Sequence, residues 1–93
     1  MGEKSSRTGS RPTRPSLARD PSAFGEAIHA QRKQSAATLK TAAGLSGVGV
    51  RFLLELEHGK KTAALGKVLQ VAERLGLEVW LVPRGQRPQG LEP

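Results

Sequence analysis

The chain contains no cysteine, which excludes disulfide staples and thiolate metal sites. No apolar run approaches the roughly 20 residues of a membrane span, and no signal-peptide core follows the N-terminus. A cytoplasmic chain with no membrane partner is therefore expected. Histidine is scarce: only His29 and His58 occur, and neither has a carboxylate in an obvious pairing. His29 shares a helix face with Arg32 and Lys33 and reads as a surface residue. Glu55 and Glu57 point to different sides of a helix, so they are not an acid–base pair. No glycine-rich phosphate loop with its lysine is present. With these absences the reading is a non-enzyme, with no cofactor and no metal expected.

What is present in excess is positive charge. Fifteen Lys+Arg stand against eight Asp+Glu, a formal net charge of +7, which suits a polyanionic partner and nucleic acid first. The same charge also serves simply to keep a chain soluble. Residues 1–21 hold Lys4, Arg7, Arg11, Arg14 and Arg19 against Glu3 and Asp20, with Leu17 their one large apolar side chain beyond Met1. Such a stretch buries too little surface to offset its ordering entropy and reads as a disordered basic arm. It suits a minor groove or a phosphate track as well as it suits plain solvation. Residues 84–93 read as a flexible tail. About sixty residues remain for a core, a size at which oligomerisation adds useful stability.

Within residues 22–76 the apolar spacing predicts four to five helices and an all-α fold. Ser22 is the expected N-cap of the first helix, through SAFGEAIHAQRKQ, with Phe24, Ala27, Ile28 and Gln31 at helical spacing and Arg32 and Lys33 near its C-terminus. Thr38 is the expected N-cap of a short second helix with Leu39, Ala42 and Ala43 inward. Gly44–Val48 make a sharp turn, and GVRFLLELE forms a third helix closed by Gly59. Thr62 is the expected N-cap of a fourth helix, with Leu65, Val68, Leu69, Ala72 and Leu75 as its inner stripe and Gly76 at its end.

The centre of the chain, TLKTAAGLSGVGVRFLLELEHGK, meets the demands of a helix-turn-helix. Counting Leu39 as the first position, small Ala43 is fifth, where one helix crosses the other. Gly47 is ninth, where the turn is left-handed, and Leu53 and Leu56, at fifteen and eighteen, bury the later helix. A generic helical bundle meets all four only by coincidence. After Gly76 the character changes to Leu77-Glu78-Val79-Trp80-Leu81-Val82, β-branched and aromatic, closed by Pro83. A lone strand in a helical domain leaves its backbone polar groups unpaired. Residues 77–83 are therefore read as a dimerisation strand pairing with a second copy, with Leu77, Val79 and Leu81 facing one side and Glu78, Trp80 and Val82 the other. Continuation of the fourth helix, or packing within the chain, is the other reading.

This pattern resembles the Xre/Cro family of helix-turn-helix proteins over roughly Phe24–Leu77. The diagnostic pieces are GVGVRFLLELEHGK at Gly47–Lys60 and LGKVLQVAERLGL at Leu65–Leu77. Within the family LEVWLV after the last helix is similar to HipB-type antitoxins. The resemblance implies a lambda-repressor-like bundle whose third helix enters the DNA major groove. Gly49, Val50, Arg51 and Leu54 would then line the exposed edge, with Arg51 the base reader because its fork bonds guanine O6 and N7 together. Thr38 and Lys40 would hold phosphate at the start of the second helix, and Lys60 and Lys61 would form a second clamp. The chain departs from the family where Leu39 replaces the usual glutamine and where Gly49 replaces a commonly polar residue. Base reading then rests on few side chains, so that DNA shape and the arm contribute to selectivity, or binding is weak.

The function so implied is a nucleoid-associated, sequence-specific transcriptional repressor. It would bind a palindromic double-stranded operator as a homodimer, autoregulate a HipBA-type operon and neutralise a HipA-type serine/threonine kinase toxin. The alternatives are a protein-interaction module with weak DNA binding and a stand-alone phage- or plasmid-type repressor.

Overall fold

The computed structural model describes residues 15–87. Most of the expected basic arm and the last six residues of the tail lie outside them. The described residues form four helices in chain order: α1 (Pro21–Gln34), α2 (Leu39–Ser46), α3 (Val50–Glu57) and α4 (Leu65–Arg74). The architecture is all-α, as the apolar spacing predicts.

Two helix starts differ from expectation. The N-cap of α1 is Asp20 rather than Ser22: its carboxylate accepts from the Ala23 N–H at 2.8 Å, and Pro21 takes the first helical position. Proline there loses no bond, because that N–H has no partner inside a helix. Helix α4 starts two residues later than Thr62 predicts, with Ala64 as a cap that makes no side-chain hydrogen bond. The chain turns over at Lys61 and Thr62 on leaving α3, and Ala63 packs onto the core. Thr38 does cap α2, accepting from the Thr41 N–H at 3.0 Å.

All four helices close the same way, with a residue at positive φ followed by a backward hydrogen bond across the last turn. At the end of α2 this residue is Gly47 (φ 73°), and the Val48 N–H returns to the Ala43 carbonyl at 3.0 Å. Gly44 and the next two residues stay in α2, so the turn is confined to residues 47–49. At the end of α1 the position is taken by Ala36 (φ 58°), which carries a Cβ in a region that favours glycine.

The core gathers Ile28 of α1, Ala42 and Ala43 of α2, Leu53 and Leu56 of α3, and Val68, Val71 and Ala72 of α4 with Leu75 just past its end. The helix-turn-helix register is thus met by packing: the fifth, fifteenth and eighteenth positions are all buried. On α4 the buried face is rotated from the expected stripe. Val71 is fully buried, while Leu65 is 68% and Leu69 42% exposed. Side chains of α4 also complete α2. Gln70 Nε2 donates to the Ser46 carbonyl at 2.6 Å and Arg74 Nη1 to the Leu45 carbonyl at 3.2 Å, so the unpaired end of α2 is satisfied from outside.

Residues 77–83 form no strand ladder within the chain, which has no second strand among the described residues to pair with. The expected facing is also changed. Leu77 packs against the core, whereas Val79 and Leu81 are exposed, Leu81 to 94%. Trp80 lies in solvent, its indole N–H donating to Glu78 Oε1 at 2.9 Å, and Val82 is half-buried.

Helix α1 is held on α3 by two linked features. Gly25 is buried where a methyl group would fall on the carbonyl oxygens of Leu56 and Glu57, the latter at 2.8 Å. Two turns on, Arg32 meets Glu57 side by side: Nε to Oε2 at 2.6 Å and Nη2 to Oε1 at 3.0 Å. Its remaining Nη1 donates to the Ala37 carbonyl at 2.9 Å. His29 Nδ1 lies 2.8 Å from Glu57 Oε1 and donates to it, since a carboxylate only accepts. The Glu57 side chain is 4% exposed. His29 is thus exposed as expected, yet it has a carboxylate partner 28 residues away. Burial pushes the Glu57 carboxyl up, but the hydrogen bonds from Arg32 and His29 outweigh it and hold the group below the usual range. Arg32 is raised, chiefly by its bond to Glu57, and stays charged.

Gly25→Ala is expected to destabilise the fold by about 3 kcal/mol, because only movement of α1 away from α3 relieves a clash with backbone. Urea denaturation measures this, and a loss below about 1 kcal/mol would show that α1 has room to retreat. Glu57 has a lower pKa folded than unfolded, so its contribution is complete above the ordinary value of 4.5 and is lost as pH falls through the folded value. Glu57→Gln is accordingly expected to cost about 3 kcal/mol at neutral pH and to flatten the acid decline of Tm. Melting curves of both proteins across this range test it; an equally steep decline in the variant would assign the decline to other carboxylates.

Candidate nucleic-acid interface

The buried side of α3 is fixed by Leu53 and Leu56, so the opposite side is presented outward by the helical period. Gly49 caps α3 without a side-chain bond, leaving its first N–H groups open. Val50, Arg51 and Leu54 follow on the exposed side, with the Arg51 side chain 85% exposed. These are the residues expected to line the reading edge, and the structure places all of them at the surface. A methyl group at Gly49 meets nothing within 4 Å, and its φ of −76° is ordinary. Nothing among the described residues therefore requires glycine at that position.

The expected phosphate contacts divide. Lys40 is exposed in the first turn of α2 and Lys61 is exposed beyond α3. Thr38 already spends its hydroxyl, accepting from the Thr41 N–H and donating to Thr41 Oγ1 at 3.0 Å, so it serves first as a cap. Lys60 donates to Glu55 Oε1 at 2.9 Å. The other oxygen of that carboxylate stands 3.5 Å from Arg51 Nε. One acidic side chain thus holds two of the cations expected to face DNA. The hydrogen bond from Lys60 holds the Glu55 carboxyl below its usual range, against a smaller opposing effect of burial and with further help from the charges of Lys60 and Arg51.

Sequence reasoning missed Glu55 as part of this surface, although the four-residue spacing from Arg51 was the available signal. It also missed Lys67 near the start of α4, whose Nζ lies 5.7 Å from the centre of the Phe52 ring. Leu39 and Leu54 line an open cleft of about 430 Å³ together with Glu26, His29, His58 and the Arg32–Glu57 pair. Both members of that pair are consumed by each other, so the cleft offers no free acid or base from them. Among the described residues no group of three or more His, Cys, Asp or Glu is placed to hold a metal. None of the described helices is long and apolar enough to cross a membrane. Of the dimerisation residues expected at 77–82, Val79, Trp80 and Leu81 are exposed, as are Leu65 and Leu69 of α4.

No family model matches the chain. The uncharacterized HTH-type transcriptional regulator y4mF of Sinorhizobium fredii (strain NBRC 101917 / NGR234) is 40% identical over 67 residues, 72% of this chain and 88% of that protein. Among solved structures, a HipB variant in an O2 20mer complex matches with a TM-score of 0.69 at 17% identity, covering 75% of this chain and 97% of that one. The HipA-HipB-O2-O3 complex matches at 0.68 and 17%, covering 75% and 99%. The restriction-modification controller protein C.AhdI from Aeromonas hydrophila matches at 0.57 and 27%, covering 63% and 86%. The HipB likeness, at that identity, is one of fold. Together with the register of α2 and α3, these relatives show that the chain belongs to the Xre-type helix-turn-helix transcriptional regulators, which are not enzymes.

Proposed function

We propose that this regulator is a sequence-specific DNA-binding repressor that acts as a homodimer on a palindromic operator. The observation that carries the reading is the exposed Arg51 on a short helix whose opposite side is locked into the core. Arginine in that setting reads guanine through two parallel hydrogen bonds. Lys40, Lys61 and the net charge of +7 supply phosphate attraction around it. The homodimer is supported by Val79, Trp80 and Leu81, which stand exposed in a segment of strand-forming composition that has no strand partner among the described residues. Paired across a two-fold axis, such segments would set two α3 helices to face successive turns of one duplex.

The finer reading is a HipB-type antitoxin that autoregulates its operon and neutralises a HipA-type serine/threonine kinase toxin. It is supported by the resemblance of LEVWLV to that group and by a fold shared with a HipB bound to HipA. A kinase gene beside this one separates it from a stand-alone repressor. The second reading, an interaction module with weak DNA binding, is favoured by the apolar Leu39 and Leu54 on the cleft and by Glu55 tying up Lys60.

Gel-shift titration against the DNA upstream of its own gene, at low and near-physiological salt, tests the repressor. Tight binding that survives physiological salt is expected, weakened about tenfold or more in Arg51→Ala. Binding that is absent, or that fades equally on all DNA as salt rises, favours the interaction module. Sedimentation velocity tests the dimer: the wild type is expected to sediment as a dimer and Leu81→Lys as a folded monomer. A variant that remains dimeric would move the interface away from residues 77–82.

A further inference from the structure

We propose that Glu55 is a positioning residue that sets the sequence selectivity of α3, by bracing Arg51 for base reading and withholding Lys60 from indiscriminate phosphate contact. The inference rests on the DNA-reading role given to Arg51 above. Its basis is that a single carboxylate divides its two oxygens between two cations on one surface. Oε2 faces Arg51 Nε at 3.5 Å, and Oε1 accepts from Lys60 Nζ at 2.9 Å.

The backbone builds this arrangement. Arg51 lies one helical turn before Glu55, on the same side of α3. Lys60 returns to the same place because the α3 closure makes its own N–H donate to the Glu55 carbonyl at 3.0 Å. The cations therefore converge on Glu55 through helix geometry at one end and a fixed turn at the other.

The chemistry differs for the two partners. Arginine held at Nε keeps both terminal nitrogens free and restricts the swing of an otherwise solvent-exposed side chain. A fork so restrained loses less entropy when it engages guanine O6 and N7. Lysine held by the same carboxylate has its charge partly offset and its ammonium directed away from the duplex, so its contribution to phosphate attraction on any sequence is reduced. The carboxylate itself repels phosphates and base acceptors, whereas it accepts from a cytosine amino group. An exposed ion pair contributes little to stability, so its consequence is for binding rather than folding.

Glu55 thus acts with opposite signs on the two kinds of binding. Glu55→Gln is compared with the wild type on two 20-base-pair duplexes, one enriched by the wild type from a randomised pool and one its scrambled control. The variant is expected to bind the enriched duplex more weakly and the scrambled duplex more tightly. The ratio of the two affinities should fall at least about fivefold. The log–log salt slope on the scrambled duplex should steepen by about one as Lys60 is released, and Lys60→Met in the variant should reverse that change. A merely structural role would weaken both complexes together and lower Tm. An unchanged affinity ratio, with selective binding by the wild type, overturns the role of Glu55 alone. Failure of the wild type to enrich any sequence overturns the DNA reading and this inference with it.

Discussion

Helix α3 has only eight residues, too few to hold a helical shape in water by its own backbone bonds, so its form and direction come from what it packs against. The Arg32–Glu57 contact is the most specific part of that packing. Through one guanidinium it joins α1 to the last residue of α3 and to the connection leading into α2. A buried ion pair adds modest net stability compared with apolar residues of similar size, yet leaving either partner alone is costly. Its consequence here is geometric: the two-pronged contact has one good arrangement, and that arrangement fixes where the end of α3 lies. Gly25 makes the contact possible by letting α1 approach the terminal carbonyls of α3 without a side chain between them.

From that fixed end the remaining constraints propagate along the helix-turn-helix. Gly47 sets the turn, Ala43 allows the close crossing, and Leu53 with Leu56 decides which side of α3 is inward. Helix α4 finishes the frame by donating Gln70 and Arg74 to the carbonyls at the end of α2. The outward side of α3, proposed to read DNA, is thus carried on packed supports while its own side chains stay in solvent. In that proposal, stability and recognition are divided between the two sides of one short helix.

A domain of this size also leaves apolar surface uncovered. Leu65 and Leu69 stand out from α4, and Trp80 and Leu81 stand out from the segment beyond it. In a helical core of about sixty residues, covering such groups contributes stability that the monomer lacks. The dimer proposed for this regulator thus links its stability to the spacing of its two recognition helices.

The features legible in the sequence are those encoded at short, fixed spacing. The helix-turn-helix register of Ala43, Gly47, Leu53 and Leu56, and the outward placement of Arg51, follow from helical period and turn chemistry. Helix boundaries were less legible where several polar residues compete to cap. Asp20 displaced Ser22, and Ala64 rather than Thr62 precedes α4, because the path of the chain selects among them. Periodicity marked an apolar stripe on α4 but not which face of the helix finds neighbours, so Val71, outside the stripe, is buried and Leu65 is not. The contacts of Glu57 with Arg32 and His29 span 25 and 28 residues, and no local pattern announces them. Sequence alone thus determined the family, the helix-turn-helix register and the outward residues of α3, because these depend on local geometry. Only the tertiary structure decided which charges pair, since pairing depends on how the helices are brought together in space.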